Sequence, residues 1–482
     1  MNYTLVFHIL GLILRVEAVL MLPAAVIGIA TRGGDGSAFL LAAGITLAVG
    51  QALVMLPAKN VKMQARDGFA AVALSWIFLS LFGALPYVFS GVLPNYADAV
   101  FETVSGFTTT GASVLTFIEG QPLGVLFWRA QTQWMGGVGV LVLALALVPR
   151  LGEGSVYLMR AESPGPIKSK LTPKVGDTAK ILYSIYIGLT VGEVLCLRLA
   201  GMPWFDAVIH AFTTISTGGF SVKNASIAAY ESLIIEWIII IFMFLSGINF
   251  ALLFFAVRRN FQAVFHSEEL RSYTFMTLIA SGLILADRAV HTAQAVTFQT
   301  VTDSVFQVVT LMTTTGYMTY DYVLWPTFSQ VVLILVMFAG GCAGSTAGGI
   351  KQIRVVLLMK NLRREVQRIL HPRLVTTIRS DGDRVEESTL SGITLFFFAY
   401  ILLLLTGTLV VAWDDVGFTS AFTASLTCIS NVGPAFGSLG PTSNFAALSN
   451  VSKVFLSLNM LLGRLEIMPL LLLLFPSLWK KR

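Results

Sequence analysis

Charge is what this sequence has least of. Lys, Arg, Asp and Glu make up 12% of its 482 residues, about half the roughly 25% of a soluble globular chain. Hydrophobic residues make up 55%, and the mean hydropathy is +0.78. The deficit points to a polytopic membrane protein and makes the net charge of +6 a matter of topology rather than a signal for nucleic acid. Cysteine is scarce too. Cys196, Cys342 and Cys428 are scattered through apolar segments, which excludes a disulfide framework and a thiolate metal site and leaves three small packing residues. The five histidines (His8, His210, His266, His291, His371) are dispersed. No acid–base pair, nucleophile or ligand cluster stands out, so a membrane enzyme is the least favoured class and no catalytic residue is expected. A basic leader is missing as well: Arg15 and Glu17 sit inside the first apolar run, which reads as a retained helix.

What is abundant is apolar sequence in long runs. A spanning helix needs about 20 mainly apolar residues. Residues 3–29 and 39–56 fit, joined by a Gly-rich turn at 31–37. This predicts a two-helix hairpin over 1–66. Four units then follow at 67–170, 171–265, 266–385 and 386–482. Each reads as a long span, a segment too short to cross, a Thr-Gly loop and a second long span. The first spans are 69–89, 181–199, 273–286 and 390–413; the short segments are 98–108, 206–215, 303–313 and 418–429. The second spans are 127–148, 233–257, 328–359 and 451–475.

Lys and Arg set the orientation. They cluster before unit one (Lys59, Lys62, Arg66), between one and two (Arg150, Arg160, Lys168, Lys170, Lys174, Lys180) and between two and three (Arg258, Arg259, Arg271). More lie between three and four (Lys351 to Arg384) and at the end (Lys480, Lys481, Arg482). All fall on one side if every unit enters and leaves from the cytoplasm, with both termini cytoplasmic. The short segments then re-enter from outside.

The Thr-Gly loops read Thr109-Thr110-Gly111, Ser216-Thr217-Gly218, Thr314-Thr315-Gly316 and, more degenerate, Asn431-Val432-Gly433. Irregular backbone at membrane depth is tolerated only where it is buried in protein or lines a water-filled cavity. Four such loops imply one shared cavity. Glycine reaches positive φ without steric cost, which lets successive carbonyls face a common axis. Carbonyl rings replace the hydration shell of a dehydrated alkali cation. The negative ends of four half-helices would face the same axis. Asp98, Asp206 and Asp303 stand near the half-helix starts, where a carboxylate can cap. Neutral oxygens suit a monovalent cation, since divalent ions usually draw carboxylates.

Two features below the loops read as a gate. The last span of unit three is interrupted at 339–349, with glycine at Gly340, Gly341, Gly344, Gly348 and Gly349 alongside Ser345 and Thr346. Each glycine costs a helix about 1 kcal/mol against alanine, so this predicts an intramembrane loop. Arg464 sits in the last span, where a charge costs about 2.5–3.5 kcal/mol to insert. It reads as a pore-facing cation that opposes cation passage. Lys351 reads as an interfacial anchor. Arg15, Glu17, Glu193 and Glu236 read as buried and paired, and His210 as a packing or hydrogen-bonding residue.

At these residues the chain resembles the Trk-type potassium uptake proteins, the TrkH/TrkG branch of the Trk/Ktr/HKT superfamily. The resemblance is carried by 105–112, 216–220, 313–317, 431–434, 342–349 and 463–466 and extends over essentially the whole chain. It implies an all-α membrane protein of four helix–pore loop–helix repeats around a pseudo-fourfold pore, preceded by the hairpin. It also implies a homodimer with one pore per protomer, a bacterial inner-membrane setting among lipids, and a cytosolic TrkA-type nucleotide-binding regulatory subunit. The loop 339–349 and Arg464 would form the inner constriction. Ala347 and Ala435 depart from residues that are often glycine in relatives. Gly111, where sodium-permeable plant relatives carry serine, favours potassium as the transported and filter-bound ion. The expected function is potassium uptake. A sodium-permeable or proton- or sodium-coupled symporter of the same fold is the alternative, and a non-conducting scaffold fits four preserved loops poorly.

Overall fold

The computed structural model describes residues 1–56, 64–137, 139, 175–291, 296–372 and 376–479; structural statements below concern these residues. Lys59, Lys62, Arg150, Arg160, Lys168, Lys170, Lys174, Arg373 and Lys480 to Arg482 lie outside them, as does the second half of the expected span 127–148.

The N-terminal hairpin is α1 (Tyr3–Leu20), α2 (Leu22–Ala30) and α3 (Gly36–Val54). Asn2 caps α1 by accepting the Leu5 N–H. Glycine sets how closely the hairpin packs: a Cβ on Gly11 would lie 2.6 Å from the Gly50 carbonyl oxygen, the small-residue contact that brings membrane helices together. The hairpin is bolted to the first repeat. Asp35, in its turn, accepts the Val125 N–H at 3.0 Å.

Repeat one runs α4 (Ala65–Gly83), α5 (Leu85–Phe89), the pore helix α6 (Tyr96–Phe107) and α7 (Leu123–Gly137). Repeat two has α8 (Val175–Leu199), the pore helix α9 (Trp204–Ile215), α10 (Leu233–Ser246), α11 (Phe250–Val257) and α12 (Phe261–His266). Repeat three has α13 (Glu268–His291), the pore helix α14 (Phe298–Met312), α15 (Thr327–Ala339) and α16 (Gln352–Leu370). A two-residue ladder of β1 (Arg379–Ser380) and β2 (Asp383–Arg384) precedes repeat four. That repeat has α17 (Glu387–Ala412), the pore helix α18 (Phe418–Ser430), α19 (Asn450–Arg464), α20 (Met468–Leu472) and α21 (Pro476–Trp479).

Among the described residues, six helical stretches are long and apolar enough to cross a membrane, or seven if the bent pair α10–α11 is one span. The pore helices have 12 to 15 residues, or about 18–22 Å at 1.5 Å per residue. They cannot cross a core of about 30 Å.

The second helices differ from the expected long spans. An interruption was expected only in repeat three. Instead α7, α10, α15 and α19 all end after 13 to 15 residues. The chain bends by 104° between α10 and α11. Close approach to the pore helices is the reason in the first and last repeats. A Cβ on Gly136 would lie 1.8 Å from the Phe107 carbonyl oxygen, and one on Gly463 would lie 2.1 Å from that of Ile429. Only glycine lets these helix ends sit against the end of the pore helix.

The aspartates do not cap as expected. Asn95 caps α6 and Thr297 caps α14, while α9 is preceded by Pro203 and has no side-chain cap. Asp98 pairs with Lys453 at 2.7 Å. Asp206 accepts the Tyr230 hydroxyl at 2.7 Å, and Asp303 accepts Gln299 and Thr319 at 3.1 Å each. The expected pairing of buried charges also changes. Arg15 bonds Gln51 rather than Glu17, and Glu17 is buried without a hydrogen-bond partner among the described residues. Glu193 is buried beside Thr214. Glu236 accepts from Gln299 at 3.3 Å. His210 is a hydrogen-bonded packing residue, between the Asp206 carbonyl at 2.7 Å and the Ser221 hydroxyl at 3.0 Å.

Candidate functional site, a four-stranded pore constriction

Each pore helix runs into a short strand with two left-handed residues. Thr109, Thr217, Thr314 and Asn431 have φ between 54° and 56°. Two residues later, Gly111, Gly219, Gly316 and Gly433 have φ of 85°, 77°, 82° and 105°. The residue between them anchors the strand to its own helix. Thr110, Gly218, Thr315 and Val432 donate to the carbonyls of Ser105, Thr213, Thr310 and Thr427 at 2.8–2.9 Å.

This fixes the register and corrects one expectation. In repeat two the strand is Thr217-Gly218-Gly219, one residue later than the expected Ser216-Thr217-Gly218. Ser216 is the last residue of the pore-helix turn, level with Thr108, Thr313 and Ser430. Two adjacent glycines hid the shift, because sequence alone does not show which one turns left-handed. In the other strands Thr109, Thr110, Gly111, Thr314, Thr315, Gly316, Asn431, Val432 and Gly433 fall in the expected register.

The four strands close a ring. A Cβ on Gly111 would lie 2.2 Å from the Gly218 carbonyl oxygen, one on Gly219 would lie 1.8 Å from that of Thr315, and one on Gly316 would lie 2.2 Å from that of Val432. A Cβ on Gly433 would lie 2.6 Å from the Thr110 carbonyl oxygen. The order is one to two, two to three, three to four and four back to one. Each glycine leaves room for its neighbour's carbonyl, and left-handed φ is strained for any other residue. The ring lies between two cavities. The outer one, about 170 Å³, is lined by Gly111, Gly219, Gly316 and Gly433. The inner one, about 90 Å³, is lined by Gly348, Lys351, Asn431, Arg464 and Glu466.

The Gly-rich loop between α15 and α16 lies against the inner end of the ring. Gly348 N–H donates to the Thr314 hydroxyl at 2.7 Å, and Gly349 N–H to the Ser430 carbonyl at 2.9 Å. The Thr346 hydroxyl reaches the Ile215 and Ser246 carbonyls at 3.1 and 3.2 Å. The loop thus touches the inner ends of strands two, three and four. Gly340, Gly344 and Gly349 have positive φ, and Gly341 accepts the Gln352 N–H at 2.9 Å. The Ser345 hydroxyl closes a turn onto the Cys342 carbonyl at 2.6 Å. Lys351, expected as an interfacial anchor, donates to the Ala347 carbonyl at 2.5 Å and lines the inner cavity.

Arg464 bridges the same loop, strand one and the end of α7. It donates to Thr346 O at 2.8 Å, Thr109 Oγ1 at 3.2 Å, Gly136 O at 2.6 Å and Gly137 O at 2.5 Å. The last two are carbonyls at the end of α7, where the negative end of the helix dipole lies; that of Gly136 also accepts the Gly139 N–H at 3.2 Å. A guanidinium with five donors can satisfy them and the loop together. Glu466 pairs with Arg354 at the start of α16 rather than with Arg464.

A family model described as TrkH, cation transport protein, matches residues 35–285 and 276–481. The chain belongs to the TrkH family. The Trk system potassium uptake protein TrkH of Halomonas elongata is 40% identical over the full length of both chains. Its counterpart in Escherichia coli K12 is 38% identical, also over both full lengths. The crystal structure of the potassium transporter TrkH from Vibrio parahaemolyticus matches with a TM-score of 0.88 at 34% identity, covering all of both chains. The pseudo-fourfold architecture expected from the sequence is therefore the TrkH fold, and the chain is a cation transport protein of the membrane. Sequence reasoning missed Gly219, the Gly136 and Gly137 carbonyls and the side chains behind the ring. Doubled glycines were a visible signal for the first two; nothing marked the last.

Proposed function

We propose that this TrkH-family chain takes up potassium across the bacterial inner membrane through a carbonyl-lined selectivity filter. The ring of interlocked glycines and carbonyls carries the reading. Strands of this kind offer Thr110, Gly218, Thr315 and Val432 oxygens to a dehydrated ion without a formal negative charge, as a monovalent cation requires. The relatives named as potassium uptake proteins support the choice of ion.

The loop around Gly340–Gly349 and Arg464 act as the gate beneath the filter. Arg464 places a positive charge on the ion path, and moving it requires breaking its bonds to Thr346 and α7. A cytosolic nucleotide-binding subunit of TrkA type would act on this gate through α16. We further propose a homodimer set in lipid, with both termini cytoplasmic and one pore per protomer. Ion flux through the purified chain in liposomes tests the reading: potassium should pass in strong preference to sodium, and equal fluxes would reject it.

A further inference from the structure

The ring is fourfold in backbone but not in side chains. Between the two left-handed residues, three strands carry a β-branched residue: Thr110, Thr315 and Val432. The second strand carries Gly218, whose φ is not left-handed, so its backbone does not demand glycine. The space for its side chain is occupied instead. A Cβ on Gly218 would lie 2.3 Å from Gln133 Cδ.

Gln133 comes from α7 of repeat one and is 0% exposed. Its amide brackets strand two. Nε2 donates to the Gly218 carbonyl at 2.6 Å, and Oε1 accepts the Phe220 N–H at 3.1 Å. The Phe220 N–H can meet only the acceptor end, which settles the orientation of the amide. One turn earlier on the same face, Arg129 continues the grip. Its guanidinium lies 3.9 Å from the centre of the Phe220 ring, donates to the Ser221 carbonyl at 3.3 Å and pairs with buried Glu102 at 2.7 Å.

We propose that Gln133 is a positioning residue for ion selectivity. From a neighbouring repeat it supplies the side chain that Gly218 lacks, and it sets the aim of the Gly218 carbonyl. This rests on the ring being the potassium filter. A carbonyl held from the side keeps its distance from the ion. One released into an empty space behind the strand can swing inward to meet the smaller sodium ion, so the loss of Gln133 shows first in selectivity.

The test is the potassium-to-sodium permeability ratio of the full chain in liposomes, from reversal potentials. Gln133→Ala and Gln133→Met are measured beside the wild type; the methionine keeps the volume but removes both hydrogen bonds. Each should lower the ratio roughly tenfold, the scale of losing the one buried hydrogen bond that holds the Gly218 carbonyl, in protein that still runs as a single species. The double variant Gly218→Thr with Gln133→Ala, which fills the space from the strand itself, should recover most of the ratio. A wild-type protein that does not discriminate would reject the filter reading itself. A selective wild type with unchanged ratios in folded Gln133 variants would overturn the role of Gln133 and leave the filter standing. If Gln133→Ala does not fold, Gln133→Met decides.

Discussion

Arg464 and Thr346 meet below the ring of four strands: Arg464 Nη1 donates to the Thr346 carbonyl at 2.8 Å. The bond ties α19 of repeat four to the loop of repeat three, below the ring of strands. It also explains how an arginine is tolerated at membrane depth, since its remaining donors meet the carbonyls that end α7. Truncation to alanine removes both the charge and the tie. Arg464→Ala should raise basal potassium flux several-fold in liposomes, and unchanged or reduced flux in well-folded protein would reject the gating role.

Glu269 holds the loop from the other side. Its Oε1 accepts the Ala343 N–H at 2.6 Å and the Ile353 N–H at 3.1 Å, pinning the segment that leaves α15 to the first turn of α16. Glu269→Ala frees both N–H groups. Basal flux should rise, by less than in Arg464→Ala because the cation remains in the path. Flux measurements on the two variants at equal protein density check the order.

Gly316→Ser should impair selectivity. A Cβ there would lie 2.2 Å from the Val432 carbonyl oxygen, on a backbone with φ of 82°. Strands three and four would have to move apart, and a widened ring replaces the hydration shell less completely. The reversal potential under opposed potassium and sodium gradients should move toward the sodium value. An unchanged permeability ratio would count against the filter assignment.

Arg129→Ala should cost stability. Arg129 and Glu102 are 2% and 0% exposed, and Glu102 also accepts the Val114 N–H at 2.9 Å and the Ser113 hydroxyl. Removing one partner of a buried ion pair costs about 3–5 kcal/mol, because the other charge is left uncompensated. Thermal unfolding in detergent should show a clear drop, with a smaller one for the double variant Arg129→Met with Glu102→Gln.

Much of this was readable in the chain. Low charge and long apolar runs gave the membrane class, and four Thr-Gly loops gave the repeats, because both follow from backbone and solvent physics that act locally. The doubled glycines Gly218 and Gly219 were ambiguous, since register depends on which residue turns left-handed, and that is decided by the Thr213 carbonyl. The broken second helices of repeats two and four escaped notice because apolar sequence resumes beyond each break, at Phe250–Val257 and Met468–Leu472. In the first and last repeats the helix ends where a glycine meets the end of that repeat's pore helix, a tertiary contact that local sequence does not show. Asp98 meets Lys453 and Arg464 meets Thr109, each 355 residues away along the chain, beyond any local pattern.

The central claim is that the ring of Thr110, Gly218, Thr315 and Val432 carbonyls selects potassium. The reversal potential of the purified wild-type chain in liposomes, with potassium and sodium gradients opposed, tests it most directly. A potential close to the potassium equilibrium value is predicted. A potential midway between the potassium and sodium values would contradict it.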